Sequence, residues 1–176
     1  MTGAVSKRQV MSVSLVGLTG VVLVLAYLNP PILLLGAVAV VGLLTYTYFK
    51  RTWWGGPPWN SWIVAVIPLM GRMVDADYRV VSLVRPEGEL AVAFTLAVLA
   101  VFFGYANFVV MGYFKDISAD AQTGYRTFPV VFGWRPAAVY GDLTAAASAA
   151  LTARVLWLVG VNVWGAVMFI AGLALH

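Results

Sequence analysis

The chain has 176 residues, 62% of them hydrophobic and 10% charged, and its mean hydropathy of +0.90 excludes a soluble globular domain. It lacks cysteine, which excludes disulfides, thiolate nucleophiles and cysteine-based metal or redox centres. The formal charge of +4 is the excess of Lys and Arg that membrane proteins gather in cytoplasmic loops, and it is read as topology rather than as a nucleic-acid surface. The apolar runs are continuous rather than alternating, which also excludes a β-barrel. The expected fold class is all-α integral membrane, a polytopic helical bundle forming one domain over residues 1–176. His176, the single histidine, is the last residue and is read as a chain end, not a catalytic base.

A span needs roughly 20 mostly apolar residues. Residues 10–28 qualify, with only Ser12, Ser14 and Thr19 as polar groups. Lys7 and Arg8 ahead of the run resemble the start of a signal peptide. The run is too long for one, and it ends at Asn29-Pro30-Pro31 with no small-residue cleavage site, so a retained helix is expected. Residues 32–49 form the second span, closing on Lys50-Arg51. A Gly/Pro turn region follows, whose tryptophans 53, 54, 59 and 62 suit the headgroup layer.

Residues 62–71 are apolar but few, enough for about half of a ~30 Å core, and Arg72 comes next. A half-helix and a span with a snorkelling Arg72 are both open on length alone. Residues 75–89 read as a mixed-charge loop and 90–112 as a clear span. A polar stretch then leads to an Ala-rich span at 137–153 containing Asp142, a turn around Arg154, and a last span at 155–175.

Charge decides whether the third segment crosses. If it does, one side collects Lys7, Arg8, Lys50, Arg51, Lys115, Arg126 and Arg135, and the other keeps Arg72, Arg79, Arg85 and Arg154. Seven against four, with every lysine on the first side, follows the positive-inside rule. Six transmembrane helices are therefore expected, with both termini and the polar stretch on the cytoplasmic side of the cell membrane.

That polar stretch, residues 107–135, is where chemistry is to be sought. Asp116 and Asp120 are four apart, so a helical turn puts them on one face, where like charges repel unless a cation lies between them. Two carboxylates suit Mg²⁺, which keeps several waters and takes its other ligands from substrate phosphates. Gly124 is placed to end the helix, and Pro129 and Pro136 shape the return to the membrane. On the spacing alone, an ordinary solvated loop with surface acids remains open. Tyr46 and Lys50 lie one turn apart at the end of the second span, able to address one anion; an interfacial Tyr with a snorkelling Lys is the alternative. Asp142, near the start of its helix, is a functional candidate because it is ionisable within a span, though the favourable dipole at a helix start makes a structural role the preferred one.

These residues resemble the UbiA superfamily of membrane prenyltransferases. Lys115-Asp116-Ile117-Ser118-Ala119-Asp120, then Gly124-Tyr125-Arg126-Thr127-Phe128-Pro129 and Phe132-Gly133, are similar to the superfamily's second aspartate-rich motif, D-x-x-x-D followed by G-x-x-T-x-P and a Gly. Tyr46-x-x-x-Lys50 matches its Y-x-x-x-K element. Thr2-Gly3-Ala4-Val5-Ser6 with Arg8 resembles the short segment that follows its first aspartate motif. The resemblance implies a helical bundle with a central cavity open to lipid, and transfer of an isoprenyl group from an isoprenyl diphosphate, through an allylic carbocation, to an aromatic or other lipophilic acceptor. It implies Mg²⁺ held by Asp116 and Asp120, and diphosphate contacted by Tyr46 and Lys50, with Arg126 a further contact.

The superfamily's first motif, N-D-x-x-D-x-x-x-D, has no counterpart here, since the acids before Asp116 are Asp75, Asp77, Glu87 and Glu89. The expectation is a chain that begins just after that motif, lacks its two helices, and shows little or no prenyl transfer alone. Two other readings compete: a non-catalytic membrane protein that binds isoprenoid lipid or a partner, and a small transporter. Transport calls for ionisable groups at the bilayer midplane, and apart from Asp142 the expected spans are nearly free of them.

Overall fold

The computed structural model describes residues 6–74 and 88–174. The expected loop at 75–89 and the Thr2–Val5 part of the N-terminal resemblance fall almost wholly outside them. Seven helices and no strand occupy the described residues: α1 (Lys7–Leu28), α2 (Ile32–Lys50), α3 (Gly56–Arg72), α4 (Glu89–Gln122), α5 (Phe128–Phe132), α6 (Trp134–Leu158) and α7 (Val163–Ala174). By length and composition α1, α2 and α4 are able to cross a membrane, and Val163–Gly172 is a shorter apolar helix. The protein is an integral membrane protein of helical-bundle class.

Ser6 starts α1 with a capping box: its hydroxyl accepts from the Gln9 amide at 3.2 Å, and the Gln9 side chain accepts from the Ser6 amide at 2.9 Å. No residue of α1 is buried, and its chief neighbour is α2; a helix this apolar and this uncovered presents its surface to lipid. The turn into α2 is tied down by Asn29, whose amide nitrogen donates to the Met73 carbonyl at 2.7 Å. The start of α2 therefore lies beside the end of α3.

The principal packing runs in chain order, α2 on α3, α3 on α4 and α4 on α6, with α5 resting on α4 and α6. The directions follow from particular contacts. Trp59 near the start of α3 donates its indole N–H to the Gly42 carbonyl at 3.1 Å and stacks on Phe49 with centroids 3.6 Å apart. Arg72 at the end of α3 lies 4.3 Å from the Phe94 ring near the start of α4. Ser148 of α6 donates to the Ala100 carbonyl of α4 at 2.9 Å. Thus α3 runs antiparallel between α2 and α4, and the ends of α2 and α4 share one end of the bundle.

Four sequence expectations change. The Gly/Pro stretch is not all turn: α3 begins at Gly56, because prolines 57 and 58 fall in a first helical turn, where the missing N–H goes unneeded. Its 17 residues then reach about 25 Å. Trp59 and Trp62 pack inward, edge to face at 5.4 Å, leaving Trp53 and Trp54 as the exposed pair.

The polar stretch after 112 is not a loop either. The 34-residue α4 continues unbroken through Asp116 and Asp120 for about 51 Å in all, so its last turns project beyond a ~30 Å hydrocarbon core. The fourth change concerns the turn expected at Arg154. The guanidinium lies 4.0 Å from the Trp157 ring on the same helix, so α6 carries the charge without breaking. It ends instead at Val159-Gly160, where Gly160 takes φ +67°, and α7 is correspondingly short, with 12 residues.

Candidate functional site

Three chain segments meet at the end of the bundle shared by α2 and α4. The last turn of α2 supplies Tyr46, Lys50 and Arg51. The extramembrane end of α4 supplies Tyr113 and Asp120, and the loop after it supplies Tyr125 and Arg126. The start of α3 closes the floor.

The loop owes its path to how α4 stops. Thr123 is the C-cap and Gly124 takes φ +76°, a left-handed conformation that favours glycine. The Tyr125 amide donates to the Asp120 carbonyl at 2.9 Å, and the Gly124 amide to Ala121 at 3.3 Å; together these are the paired bonds of a Schellman cap. The reversal carries Tyr125 back over the end of α2. There the Arg126 amide donates to the Arg51 carbonyl at 3.3 Å. Thr127 then stands at the N-cap position of the short α5 without a side-chain cap bond, and Pro129 lies in the first turn.

Lys50 Nζ lies 3.1 Å from Asp120 Oδ1, and the two side chains are 21% and 7% exposed. The ammonium is also 5.5 Å from the centroid of the Tyr113 ring and 5.1 Å from that of Tyr125, so a single cation is boxed by one carboxylate and two aromatic faces. The phenol oxygens of Tyr46 and Tyr113 are 3.5 Å apart. Gly56 lies against the Tyr113 hydroxyl, so closely that a Cβ there would collide with it. Asp120 Oδ2 is buried and takes part in no hydrogen bond among the described residues. A buried carboxylate oxygen without a donor costs free energy, unless a cation meets it.

The structure therefore brings Tyr46 and Lys50 together with Asp120, seventy or more positions further along the chain. It does not bring all five candidates together. Asp116, one turn before Asp120, is exposed, and so is Arg126, which lies with Arg51 beside the Lys50–Asp120 pair. Asp142 lies on α6 away from this end, exposed on its helix. Tyr113 and Tyr125 are the members that motif reasoning missed. Tyr113 had a legible signal, since it lies seven residues before Asp120 and so shares its helix face. The paired glycines 55 and 56 were likewise a sign of close backbone approach. Tyr125 had no such signal, because its placement depends on the reversal after Gly124.

Residues 1–176 match the sequence model of the UbiA prenyltransferase family, over the whole chain. The chain belongs to the UbiA prenyltransferase family. Searches of curated proteins and of solved structures gave no match. Membership of this family implies a membrane prenyltransferase-type function.

The donor set is compatible with Mg²⁺. Asp120 Oδ2 is an unmatched hard oxygen, and the exposed Asp116 carboxylate lies one helical turn earlier. A magnesium ion asks for one or two carboxylates, with waters and substrate phosphates completing its shell. Among the described residues no cluster of three or more His, Cys, Asp or Glu forms a complete metal cage.

Proposed function

We propose that this chain binds an isoprenyl diphosphate with Mg²⁺ at the Lys50–Asp120 end of the bundle and transfers its isoprenyl group to an aromatic or other lipophilic acceptor. The observation that carries the reading is the 3.1 Å Lys50–Asp120 pair with the second oxygen of Asp120 left unpartnered. Asp120 and Asp116 would hold the metal, which when bound supplies charge neutralisation for the leaving diphosphate. Lys50 neutralises diphosphate oxygens as the bond to the isoprenyl carbon breaks. Tyr46, oriented by the Tyr113 phenol, donates to the same anion. The excess of basic residues on this side supports reading it as the cytoplasmic side of the cell membrane.

A second reading, binding of isoprenoid lipid without turnover, is favoured by one observation. The described residues offer only two acids at this end, and one of them is already neutralised by Lys50. A radiolabelled prenyl-transfer assay on the purified protein with Mg²⁺ separates the two. Prenyl transfer abolished by either Asp116→Ala or Asp120→Ala, in protein that still inserts into membranes, supports the enzyme. Isoprenyl diphosphate retained without transfer supports the binding protein. Unchanged turnover in both variants would sink the ligand roles.

A further inference from the structure

Near the Lys50–Asp120 pair is a concavity that the prenyl-transfer reading does not need. It measures about 240 Å³ and is lined by Arg51, Thr52, Trp53, Trp54 and Arg126. None of Tyr46, Lys50, Tyr113 or Asp120 contributes to it. No acid lines it, and neither guanidinium has an ion-pair partner among the described residues. Two like charges are nevertheless held together by the chain itself: the 3.3 Å bond from the Arg126 amide to the Arg51 carbonyl fixes their backbones side by side. Like-charged neighbours without an acid between them are unfavourable unless an anion joins them, and guanidinium forks match phosphate oxygens bidentately.

The remaining walls say where that anion comes from. Trp53 and Trp54 are 43% and 55% exposed, and exposed indoles at the end of an apolar helix belong in the interfacial layer. Trp53 is braced edge-on against Phe132 of α5 at 5.3 Å, so the wall is preformed. Thr52 is pinned by its hydroxyl's 2.8 Å bond to the Phe49 carbonyl. The result is a notch that is both cationic and aromatic, at the end of the bundle that α2 and α4 share.

We propose that Arg51 and Arg126, walled by Trp53 and Trp54, form a phosphate-binding pocket separate from the Lys50–Asp120 pair, which takes the phosphate of an amphiphile lying in the membrane interface. The phosphate has two sources with the same chemistry: the headgroup of an anionic phospholipid, or an isoprenyl diphosphate docking before it reaches Lys50. Basic pockets at the ends of membrane helices bind anionic headgroups in this manner. The phospholipid arm stands without the proposed prenyl-transfer function; the diphosphate arm rests on it.

Native mass spectrometry of the full chain released from detergent tests both arms. Dioleoyl-phosphatidylglycerol is one probe, with dioleoyl-phosphatidylcholine as its zwitterionic control, and geranyl diphosphate without divalent cation is the other. Arg51→Gln and Arg126→Gln should each weaken the true ligand about tenfold or more, the loss of a charge-assisted contact, and the double variant should abolish selective retention. Loss confined to phosphatidylglycerol names the phospholipid headgroup, and loss confined to geranyl diphosphate names the isoprenyl donor. Lys50→Gln should leave phosphatidylglycerol retention unchanged, which keeps failure of this pocket distinct from failure of the prenyl-transfer site. Retention of both probes by the double variant at the parent level overturns the proposal, as does a parent protein that does not prefer phosphatidylglycerol to phosphatidylcholine and does not retain geranyl diphosphate.

Discussion

Removing one partner of the Lys50–Asp120 pair tests whether the site is assembled by electrostatics or only by packing. Breaking a fully buried ion pair by deleting one side costs about 3–5 kcal/mol, because the survivor is left charged and dry. Asp120 fits that case, with a side chain 7% exposed and one oxygen already without a donor. Lys50 does not fit it as well, since a side chain 21% exposed regains some water. The two truncations should therefore differ. Lys50→Met strands the buried carboxylate and should cost about 2–4 kcal/mol, slightly below the fully buried range. Asp120→Asn leaves an ammonium that still has water and two aromatic faces, and should cost about 1–2 kcal/mol, nearer the exposed-pair limit. In the double variant no charge is left unpaired, so it should be more stable than the sum of the singles by at least about 1 kcal/mol, the coupling expected of residues in contact. Thermal unfolding of all four proteins in one detergent reads this, at about 2–4 °C per kcal/mol for a chain of this size. Strictly additive shifts, or Asp120→Asn worse than Lys50→Met, would refute the argument that the stranded carboxylate is the costly species.

Two further outcomes are expected. Gly56→Ala drives a Cβ into the Tyr113 hydroxyl and should cost about 1–3 kcal/mol as an overpacking change. Adding Tyr113→Phe, which deletes the offending oxygen, should recover most of it in the same melting assay, and a lack of recovery would mean that the clash lies elsewhere. The natural absence of cysteine allows topology to be read with one engineered thiol. Ala119→Cys, exposed one residue before Asp120, should resist a membrane-impermeant maleimide in intact cells and react once the membrane is permeabilised. Labelling in intact cells would place this end outside.

The sequence by itself determined the solvent and the class. Uninterrupted apolar runs with no acid or base inside them admit only helices in lipid, since each backbone polar group must be satisfied within its own segment. It also showed where α4 stops, because a glycine is the residue that takes φ +76° after Thr123, and it placed two acids on one helical face through their four-residue spacing. Tertiary packing decided what those acids are. The i,i+4 rule treats Asp116 and Asp120 alike, yet one is exposed and the other buried against Lys50, because only the rotation of α4 against α2 and α3 says which side of the shared face turns inward. The same packing placed Tyr113 against Gly56 and folded Trp59 and Trp62 inward onto α2. It also set Arg51 and Arg126 side by side across seventy-five positions of sequence. Local pattern carries helix phase and helix ends; which faces meet depends on contacts between distant segments, and no window along the chain contains them.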